Sequence, residues 1–271
     1  MLSKHKLFFD INSKDRISGT DGHFSYHLDI PDDKNYDHVC LVGATIPKSY
    51  YLIPADGNTF TLREENVDAK ISLPVGNCSR RSFRAVVEDL LNKHSPKGWV
   101  YTVTYPKSTE FDTGKFTYTC SMPNRSVLIM PQRKTSHLYE QFGFDPGSLN
   151  VFAGGTLEST NVTKFVVHDS IFVRSDICRN GKNNVLHGID AVSTEPFSDI
   201  SHHCPEMAAY SKPLTSSTGS IYQFSVTDEN GKVLDFNGLP VILRIVIYQS
   251  DNLNELLKQA VGLYDAQVNS T

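Results

Sequence analysis

Three adjacent residues, His202, His203 and Cys204, form the most metal-like cluster of the sequence. Imidazole nitrogen and thiolate sulfur are the ligands that zinc prefers. In an extended segment, however, neighbouring side chains point to opposite faces, so the three cannot easily bind one ion. A distant residue such as His187 would have to complete the site. We therefore predict no metal here and interpret the segment as an exposed loop at a contact between subunits.

Motifs that support catalysis are missing from the sequence. It has no glycine-rich nucleotide-binding pattern, no HExxH zinc motif and no GxSxG nucleophile elbow. Residues 228–231 are similar to the start of a calcium-binding loop, but Lys232 occupies a ligand position and no glycine stands at position six. We interpret them as a hairpin turn. The sequence predicts a protein that is not an enzyme, needs no cofactor, and functions in binding or assembly.

Other polar residues are candidates for contacts with a partner. Arg80, Arg81 and Arg84 form a basic run on a predicted helix. They either contact an acidic neighbouring surface or simply face solvent. Arg174 and Asp176 stand near the end of a predicted strand. They form an ion pair either with each other or across a subunit boundary.

The composition is that of an ordinary globular protein. The 271 residues are 39% hydrophobic and 21% charged, with 26 basic and 30 acidic residues. This excludes collagen-like, disordered and coiled-coil classes, and it does not indicate a direct nucleic-acid site. No apolar run is long enough to cross a bilayer, and the amino terminus lacks the apolar core of a signal peptide. The five cysteines include no CxxC pair, so we expect a reducing compartment and no zinc ribbon.

Alternation of apolar and polar residues predicts strands along most of the chain. Two runs, residues 39–46 and 241–248, are apolar on both faces and are predicted to be buried central strands. A long polar loop with one strand is expected at 193–218. The strands predicted outside the middle of the chain are residues 23–30, 38–46, 58–63, 162–167, 170–175, 186–192, 221–227 and 241–248.

The pattern changes in the segment 68–146. Ser79 is a suitable N-cap for a helix whose apolar residues recur at helical spacing through Leu91. A second, short helix over 138–142, capped by Ser136, ends at Gly143. Strands are expected at 69–73, 99–105, 115–120 and 126–130. The resulting order, β-α-β-β-β-α, predicts a small α+β domain inserted into a mainly β chain.

The fold class predicted is mainly β. About eight antiparallel strands joined by long loops indicate two sheets packed face to face. The simplest such architecture is a single jelly-roll sandwich built from residues 1–67 and 147–271, with the inserted domain at 68–146. An immunoglobulin-like sandwich is the alternative. Its Cys…Trp…Cys core is not supported, because the only tryptophan, Trp99, lies in the inserted segment.

Several phrases of the sequence resemble one known family when they are taken in order. They are residues 11–20 (INSKDRISGT), 42–51 (VGATIPKSYY), 74–79 (PVGNCS), 141–144 (QFGF), 171–176 (IFVRSD), 228–232 (DENGK) and 236–238 (FNG). Together they resemble the penton, or minor capsid, proteins of virophages and Polinton-like double-stranded DNA viruses, over nearly the whole chain. Cys78 departs from the family pattern, in which an aromatic residue commonly follows Gly-Asn.

The resemblance implies a structural protein of the virion, made in the host cell without a secretory signal. It implies one jelly roll standing upright at a fivefold vertex of an icosahedral capsid. The subunits would form a homopentamer bordered by the trimeric double-jelly-roll major capsid protein. The inserted domain would face outward and bind a host receptor or anchor a spike. The residues expected on that outward surface are Arg80, Arg81, Arg84, Trp99 and Tyr101.

Contacts with neighbouring capsid subunits are expected in three places. They are the segment around His202 and His203, an amino-terminal arm over residues 4–15, and the carboxy-terminal segment. Arms without a fold of their own often become ordered on assembly. The last twenty residues are expected to form a short amphipathic helix.

Two other classes of protein remain as alternatives. A carbohydrate-binding jelly-roll module would use exposed aromatic residues, for which Tyr50, Tyr51 and Trp99 are the candidates. A cupin-like metal oxygenase would need two histidines two residues apart with a carboxylate nearby. His168 and His187 have no such neighbours.

Overall fold

The computed structural model of the chain describes residues 5–31, 35–106, 111–132, 136–166, 168–178, 184–215 and 220–250. The chain divides into two units by its internal contacts. One unit comprises Met1–Tyr50 and His168–Thr271, and we call it the sandwich unit. The other comprises Tyr51–Val167, and we call it the inserted unit.

The helices and strands follow one another in three stretches of chain. The sandwich unit begins with β1 (Lys6–Asn12), a 3-10 turn (Ser13–Asp15), β2 (Ser18–Gly19), β3 (His23–His27) and β4 (His38–Pro47). The inserted unit contains β5 (Thr59–Glu64), β6 (Val67–Ser72), α1 (Arg80–His94), β7 (Tyr101–Thr104), β8 (Thr117–Cys120), β9 (Ser126–Ile129), α2 (Leu138–Phe142), β10 (Leu149–Val151) and β11 (Thr156–Glu158). The sandwich unit continues with β12 (Ser170–Ser175), β13 (Val185–Asp190), β14 (Asp199–His203), α3 (Met207–Tyr210), β15 (Lys212–Pro213), β16 (Ile221–Thr227) and β17 (Ile242–Tyr248).

The sandwich unit has the strand order of a jelly roll. Its first sheet runs β1-β17-β4-β14, with β15 also paired to β4, and its second runs β13-β12-β16-β3-β2. We number its eight longer strands in chain order, leaving out the two-residue strands β2 and β15. The two sheets then read 1-8-3-6 and 5-4-7-2, which is the double Greek key of a jelly roll. The mainly β, jelly-roll prediction is confirmed.

The central strands β4 and β17 are apolar on both faces because both faces are covered. A shift of register between Arg244 and Ile245 leaves Arg244 exposed, while Ile245 and the residues after it are buried. On the outer face of the first sheet, Val246 and Tyr248 form a small apolar cluster with Cys40, and Met207 of α3 packs against it. The chain after β14 therefore covers one part of this sheet.

The inserted unit has the predicted order of elements, β-α-β-β-β-α, from β6 to α2. Ser79 is the N-cap of α1 and forms a capping box with Ser82. The Ser79 hydroxyl accepts a hydrogen bond from the backbone N–H of Ser82, and the Ser82 hydroxyl accepts one from the backbone N–H of Ser79. The buried face of α1 carries Phe83, Val87 and Leu91. Gly143 ends α2 in the left-handed conformation, with a φ of 73°.

The boundaries of the inserted unit lie outside the expected 68 and 146. The strand predicted at 58–63 for the jelly roll is β5, which pairs with β6 and β9 of the inserted unit. After residue 146, β10 pairs with β9 and β11 with β8, so these residues also belong to this unit. Residues 162–166 form no strand. Alternation showed where strands occur, but it carries no information about which sheet a strand joins.

Two segments of the sandwich unit were predicted as an arm and an exposed loop, and both form strands. The expected amino-terminal arm is β1, which pairs along its whole length with β17. The one strand expected within 193–218 is β14, which pairs with β4; it contains His202 and His203, so the exposed loop expected at these two residues is wrong. The sequence of β1 lacks a clear alternation of apolar and polar residues, because Phe8 on its outer face is apolar. β14 is difficult to predict because Ile200 is its only apolar residue. The predicted carboxy-terminal helix lies outside the described residues.

Candidate functional site

Two histidines meet at the side of the sandwich where β13 and β14 form the edges of their sheets. The rings of His187 and His202 lie with centroids 4.3 Å apart and planes at 35°. Tyr210 of α3 contacts His187 edge-on, with centroids 5.1 Å apart. His187 faces inward, because it lies directly opposite Val173 of β12, which is fully buried. We call His187, His202 and His203 the histidine edge.

The environment of the histidine edge disfavours protonation. Burial, with smaller contributions from the neighbouring His187 and His203, lowers the pKa of His202 to about 4. Burial, together with the positive charge of Lys212, also lowers the pKa of His187. The Nε2 atom of His202 is buried and has no hydrogen-bond partner among the described residues. Within the described part of the chain, no three His, Cys, Asp or Glu side chains are placed to hold a metal ion.

The sandwich unit should lose stability as the pH falls from 6.5 towards 4. In this window an unfolded histidine binds a proton, whereas His202 in the folded state does not, so protonation favours unfolding. After allowance for solvent screening, we expect a loss of about 1 kcal/mol near pH 5. Denaturant unfolding at pH 7 and pH 5 measures it. The loss of stability between pH 7 and pH 5 should be smaller in His202→Gln and unchanged in His27→Gln, which replaces an exposed histidine of β3. An equal loss in both variants would show that His202 is not its source.

Arg174 and Asp176 lie on a different surface from the histidine edge. Arg174 points to the outer face of the second sheet, where its Nε donates to the Thr227 hydroxyl (2.9 Å) and its guanidinium lies 5.8 Å from the Phe172 ring centroid. The exposed carboxylate of Asp176 accepts from the backbone N–H of Gln223 (2.8 Å). The expected contact residues therefore fall into two separate patches of the sandwich unit.

The basic run of the inserted unit is only partly at the surface. Arg80 is half-buried, donates to the Tyr105 hydroxyl (2.9 Å) and lies 5.6 Å from the centroid of that ring. Arg84 donates to the carbonyl of Val103 in β7 (3.1 Å). Arg81 is exposed. Arg80 and Arg84 thus hold α1 against other residues of the inserted unit. Of the three arginines expected on the outer surface, only Arg81 is fully exposed.

Trp99 and Tyr101 also differ from expectation. Tyr101 is 2% exposed and lies in the core of the inserted unit, so it contributes no outer surface. Trp99 is half-buried and packs against the same core. Strand β7 begins at Tyr101, and its alternation turns that residue inward.

The aromatic residues considered for sugar binding do not form an exposed platform. Tyr50 is 4% exposed and packs edge-on against Phe236, with ring centroids 6.1 Å apart. Tyr51 and Trp99 are both half-buried. Sugar rings stack on flat, exposed aromatic faces, and Tyr50 offers none.

A buried carboxyl group in the inserted unit was missed by the sequence analysis. Glu64 is fully buried, and its oxygens accept hydrogen bonds from the Ser95 hydroxyl (2.6 Å), the Lys97 backbone N–H (2.7 Å) and the Tyr101 hydroxyl (2.8 Å). The Tyr101 hydroxyl also contacts the Ser126 hydroxyl (2.7 Å). All the donors come from the inserted unit and bond to one another or to Glu64, so we assign this network a role in stabilising the unit.

A buried lysine was missed in the sandwich unit. Lys48, just after β4, is 4% exposed, and its Nζ donates to the carbonyls of Ala191 (2.6 Å) and Thr194 (2.5 Å). Its backbone N–H donates to Ser198 and its carbonyl accepts from Phe197, both at 2.9 Å. Burial lowers the pKa of Lys48. Lys48 therefore holds the loop 191–198, which connects β13 to β14, through four hydrogen bonds.

The loop held by Lys48 presents an exposed aromatic side chain. Phe197 is 68% exposed, and its backbone has a φ of 65°, a conformation that non-glycine residues rarely adopt. Strained backbone of this kind persists only where the surroundings enforce it, and it is common at binding surfaces. Val192 in the same loop is exposed as well. The loop, which joins the two strands of the histidine edge, thus presents two exposed apolar side chains on backbone that Lys48 holds.

The fold defined by these elements is a jelly roll that carries a separate α+β unit between its third and fourth long strands. It is similar to the crystal structure of the mavirus penton protein, with 9% sequence identity, a TM-score of 0.50, and coverage of 90% of this chain and 99% of that chain. At this identity the likeness concerns the fold, and it confirms the fold expected from the family resemblance.

Three other comparisons with known proteins indicate no further similarity in fold or sequence. The flagellar cap protein FliD (domains D1-D2-D3) from Escherichia coli aligns at 9% identity over 97% of this chain and 63% of that chain, but its TM-score of 0.18 is too low to indicate a common fold. No family model matches the chain. No curated protein matches it by sequence. Among the described residues, no helix has the length and apolar character needed to cross a membrane.

Proposed function

We propose that this protein is a structural, non-enzymatic subunit of a viral capsid. Its place would be the penton at the fivefold vertices of an icosahedral double-stranded DNA virus, and its location the virion. The observation that carries the proposal is the fold. The agreement with the mavirus penton protein covers 90% of this chain, and therefore extends over both the sandwich unit and the inserted unit.

The sandwich unit supports assembly into a ring. A closed ring of identical subunits needs two different patches that meet at every interface. On one side, β1 is an edge strand that exposes Phe8, and Ile17, just before β2, is exposed as well. On the other side lie the histidine edge and the loop of Phe197. We propose that these two sides of neighbouring subunits meet in a homopentamer, and that the outer patch of Arg174 and Asp176 faces the double-jelly-roll major capsid protein.

Phe197 is the side chain on which the proposed interface depends most. Aromatic residues on a preordered support contribute strongly to interfaces, because little conformational entropy is lost when they bind. The four hydrogen bonds of Lys48 supply that order. Burial of the exposed ring by a neighbour also removes a large apolar surface from water.

The inserted unit is proposed to face outward and to carry an attachment or spike-anchoring role. The organisation of the chain supports this role, because the unit has its own core and is inserted in the sequence between two strands of the jelly roll. Such an arrangement allows its surface to change without disturbance of the sandwich. Arg81 is the basic residue of the outward set that is free to contact a partner.

The proposal is tested by the mass of the purified chain in solution. Light scattering over a concentration series should show a species of five times 30.3 kDa at high concentration. Phe197→Ser should weaken this association by about tenfold or more, as expected for a central aromatic contact. Phe111→Ser is the matched control, because Phe111 is 98% exposed but belongs to the inserted unit. A dimer or tetramer, or equal weakening by both variants, would contradict the proposed interface.

A further inference from the structure

Two cysteines of the sandwich unit lie in contact. Cys40 in β4 is buried, and Cys204, the first residue after β14, is half-buried; their sulfur atoms are 3.8 Å apart. The backbone N–H of Cys204 donates to the carbonyl of Val42 (3.1 Å), so Cys204 lies opposite Val42 and diagonally across from Cys40 on the same face of the sheet. Both thiols are free in the structure.

The pair lies where the covering segment leaves the sheet. From Cys204 onward the chain runs over the outer face of the first sheet, where Met207 packs against the cluster of Cys40, Val246 and Tyr248. The Tyr248 hydroxyl donates to the Ser211 hydroxyl (2.8 Å). The segment is also held by the short pairing of β15 with β4, by the hydrogen bond of Cys204 to Val42 and by the contact of Tyr210 with His187. A covalent bond at its start would fasten it to β4.

We propose that Cys40 and Cys204 form a disulfide bond when the protein meets a low-molecular-weight disulfide such as glutathione disulfide. The bond would lock the covering segment, residues 204–213, onto the first sheet. A disulfide requires the sulfur atoms to approach to about 2.05 Å. Cys204 is the partner with more freedom, because it is half-buried and lies at the end of the pairing of β14 with β4, where one backbone hydrogen bond to Val42 holds it, whereas Cys40 is buried within β4.

The order of the two steps follows from the burial of the thiols. Burial and the neighbouring Cys204 raise the pKa of Cys40 to about 12, while the ammonium of Lys212 acts against this rise. The thiolate is the nucleophile in thiol–disulfide exchange, so Cys204, the more accessible thiol, reacts first. Its thiolate attacks glutathione disulfide, forms a mixed disulfide and releases one glutathione thiolate.

Cys40 then resolves the mixed disulfide. It loses its proton to the released thiolate or to water, and its sulfur attacks the sulfur of Cys204. The second glutathione leaves as a thiolate and is protonated. In total, two protein thiols lose two electrons and two protons, and one glutathione disulfide becomes two glutathione molecules. Conversion of Cys204 to a mixed disulfide also removes its negative charge, which adds to the larger effect of burial in raising the pKa of Cys40.

The chemistry requires only the sandwich unit, and its biological use rests on the proposed function. A capsid protein is made in a reducing cell and later meets an oxidising exterior. The disulfide would then form after release and fix the outer face of the first sheet in the finished particle. Because the bond forms within one chain, its formation can be measured whether or not the chain forms pentamers.

The experiment uses the purified full-length chain equilibrated with mixtures of glutathione and glutathione disulfide. After the free thiols are alkylated, peptide mapping should show Cys40 linked to Cys204, with the other three cysteines alkylated. The midpoint of thermal unfolding should rise by about 5–10 °C, as expected for a bond that closes a long loop. Cys204→Ser should abolish the rise, whereas Cys178→Ser, at a buried cysteine of the same unit, should preserve it.

Three results would overturn the inference. Cys40 could remain fully alkylated at the most oxidising mixture. Cys204 could stop as a stable glutathione adduct. The rise in midpoint could persist in Cys204→Ser. The mass of the chain in solution, recorded on the same samples, separates failure of this inference from failure of the penton proposal.

Discussion

Replacement of Glu64 by leucine is expected to lower the free energy of unfolding of the inserted unit by about 3–5 kcal/mol. The buried carboxyl group accepts three hydrogen bonds, and leucine would leave the Ser95 hydroxyl, the Lys97 N–H and the Tyr101 hydroxyl without this acceptor. Glu64→Gln keeps the shape but offers one acceptor oxygen in place of two, so about half of the loss is expected.

Fluorescence of Trp99 during denaturant unfolding measures this loss. Trp99 is the only tryptophan of the chain and packs against the core of the inserted unit, so its signal follows that unit. Glu65→Leu is the matched control. Glu65 forms ion pairs with Arg125 and Lys97 that are largely solvated, and its loss should cost less than about 1 kcal/mol. Equal effects of the two replacements would contradict the structural role assigned to Glu64.

Replacement of Lys48 by methionine is expected to destabilise the sandwich unit by about 2–4 kcal/mol. Methionine fills the space of the lysine stem but donates nothing to the carbonyls of Ala191 and Thr194. The loop 191–198 would loosen, and the strained backbone of Phe197 would relax. Association into pentamers should therefore weaken along with stability.

The effect of Lys48→Met is measured by circular dichroism and by light scattering. The Trp99 transition should stay unchanged, since Lys48 belongs to the other unit. Lys14→Met is the control, because Lys14 is exposed in the same unit and should change stability by less than about 0.5 kcal/mol. If Lys48→Met left both stability and association unchanged, the loop would not depend on this residue.

The sequence predicted the jelly roll and the elements of the inserted unit because both depend on local patterns. Ser79, the apolar residues of α1 and Gly143 are local signals, and each element that they mark is observed. The partner of a strand is a long-range property. β5 alternates as any jelly-roll strand does, and only its pairing with β6 and β9 places it in the inserted unit.

The candidate site could be predicted only in part for a similar reason. The sequence shows the paired histidines of β14, but the contact of His202 with His187 depends on two sheet edges that are distant in sequence. Lys48 and Glu64 have the sequence appearance of ordinary surface charges. In the structure both side chains are buried, and their hydrogen-bond partners lie between 31 and 146 positions away in the sequence. Tyr101 illustrates the opposite error, since it was expected on the outward surface implied by the family resemblance and lies in the core.

A reconstruction of purified particles that contain the chain shows whether it forms the vertex of a capsid. Five copies of the sandwich unit are expected around each fivefold axis, with the loop of Phe197 against the neighbouring copy. Particles whose fivefold positions are occupied by another protein, or in which this chain lies elsewhere in the shell, would contradict this expectation.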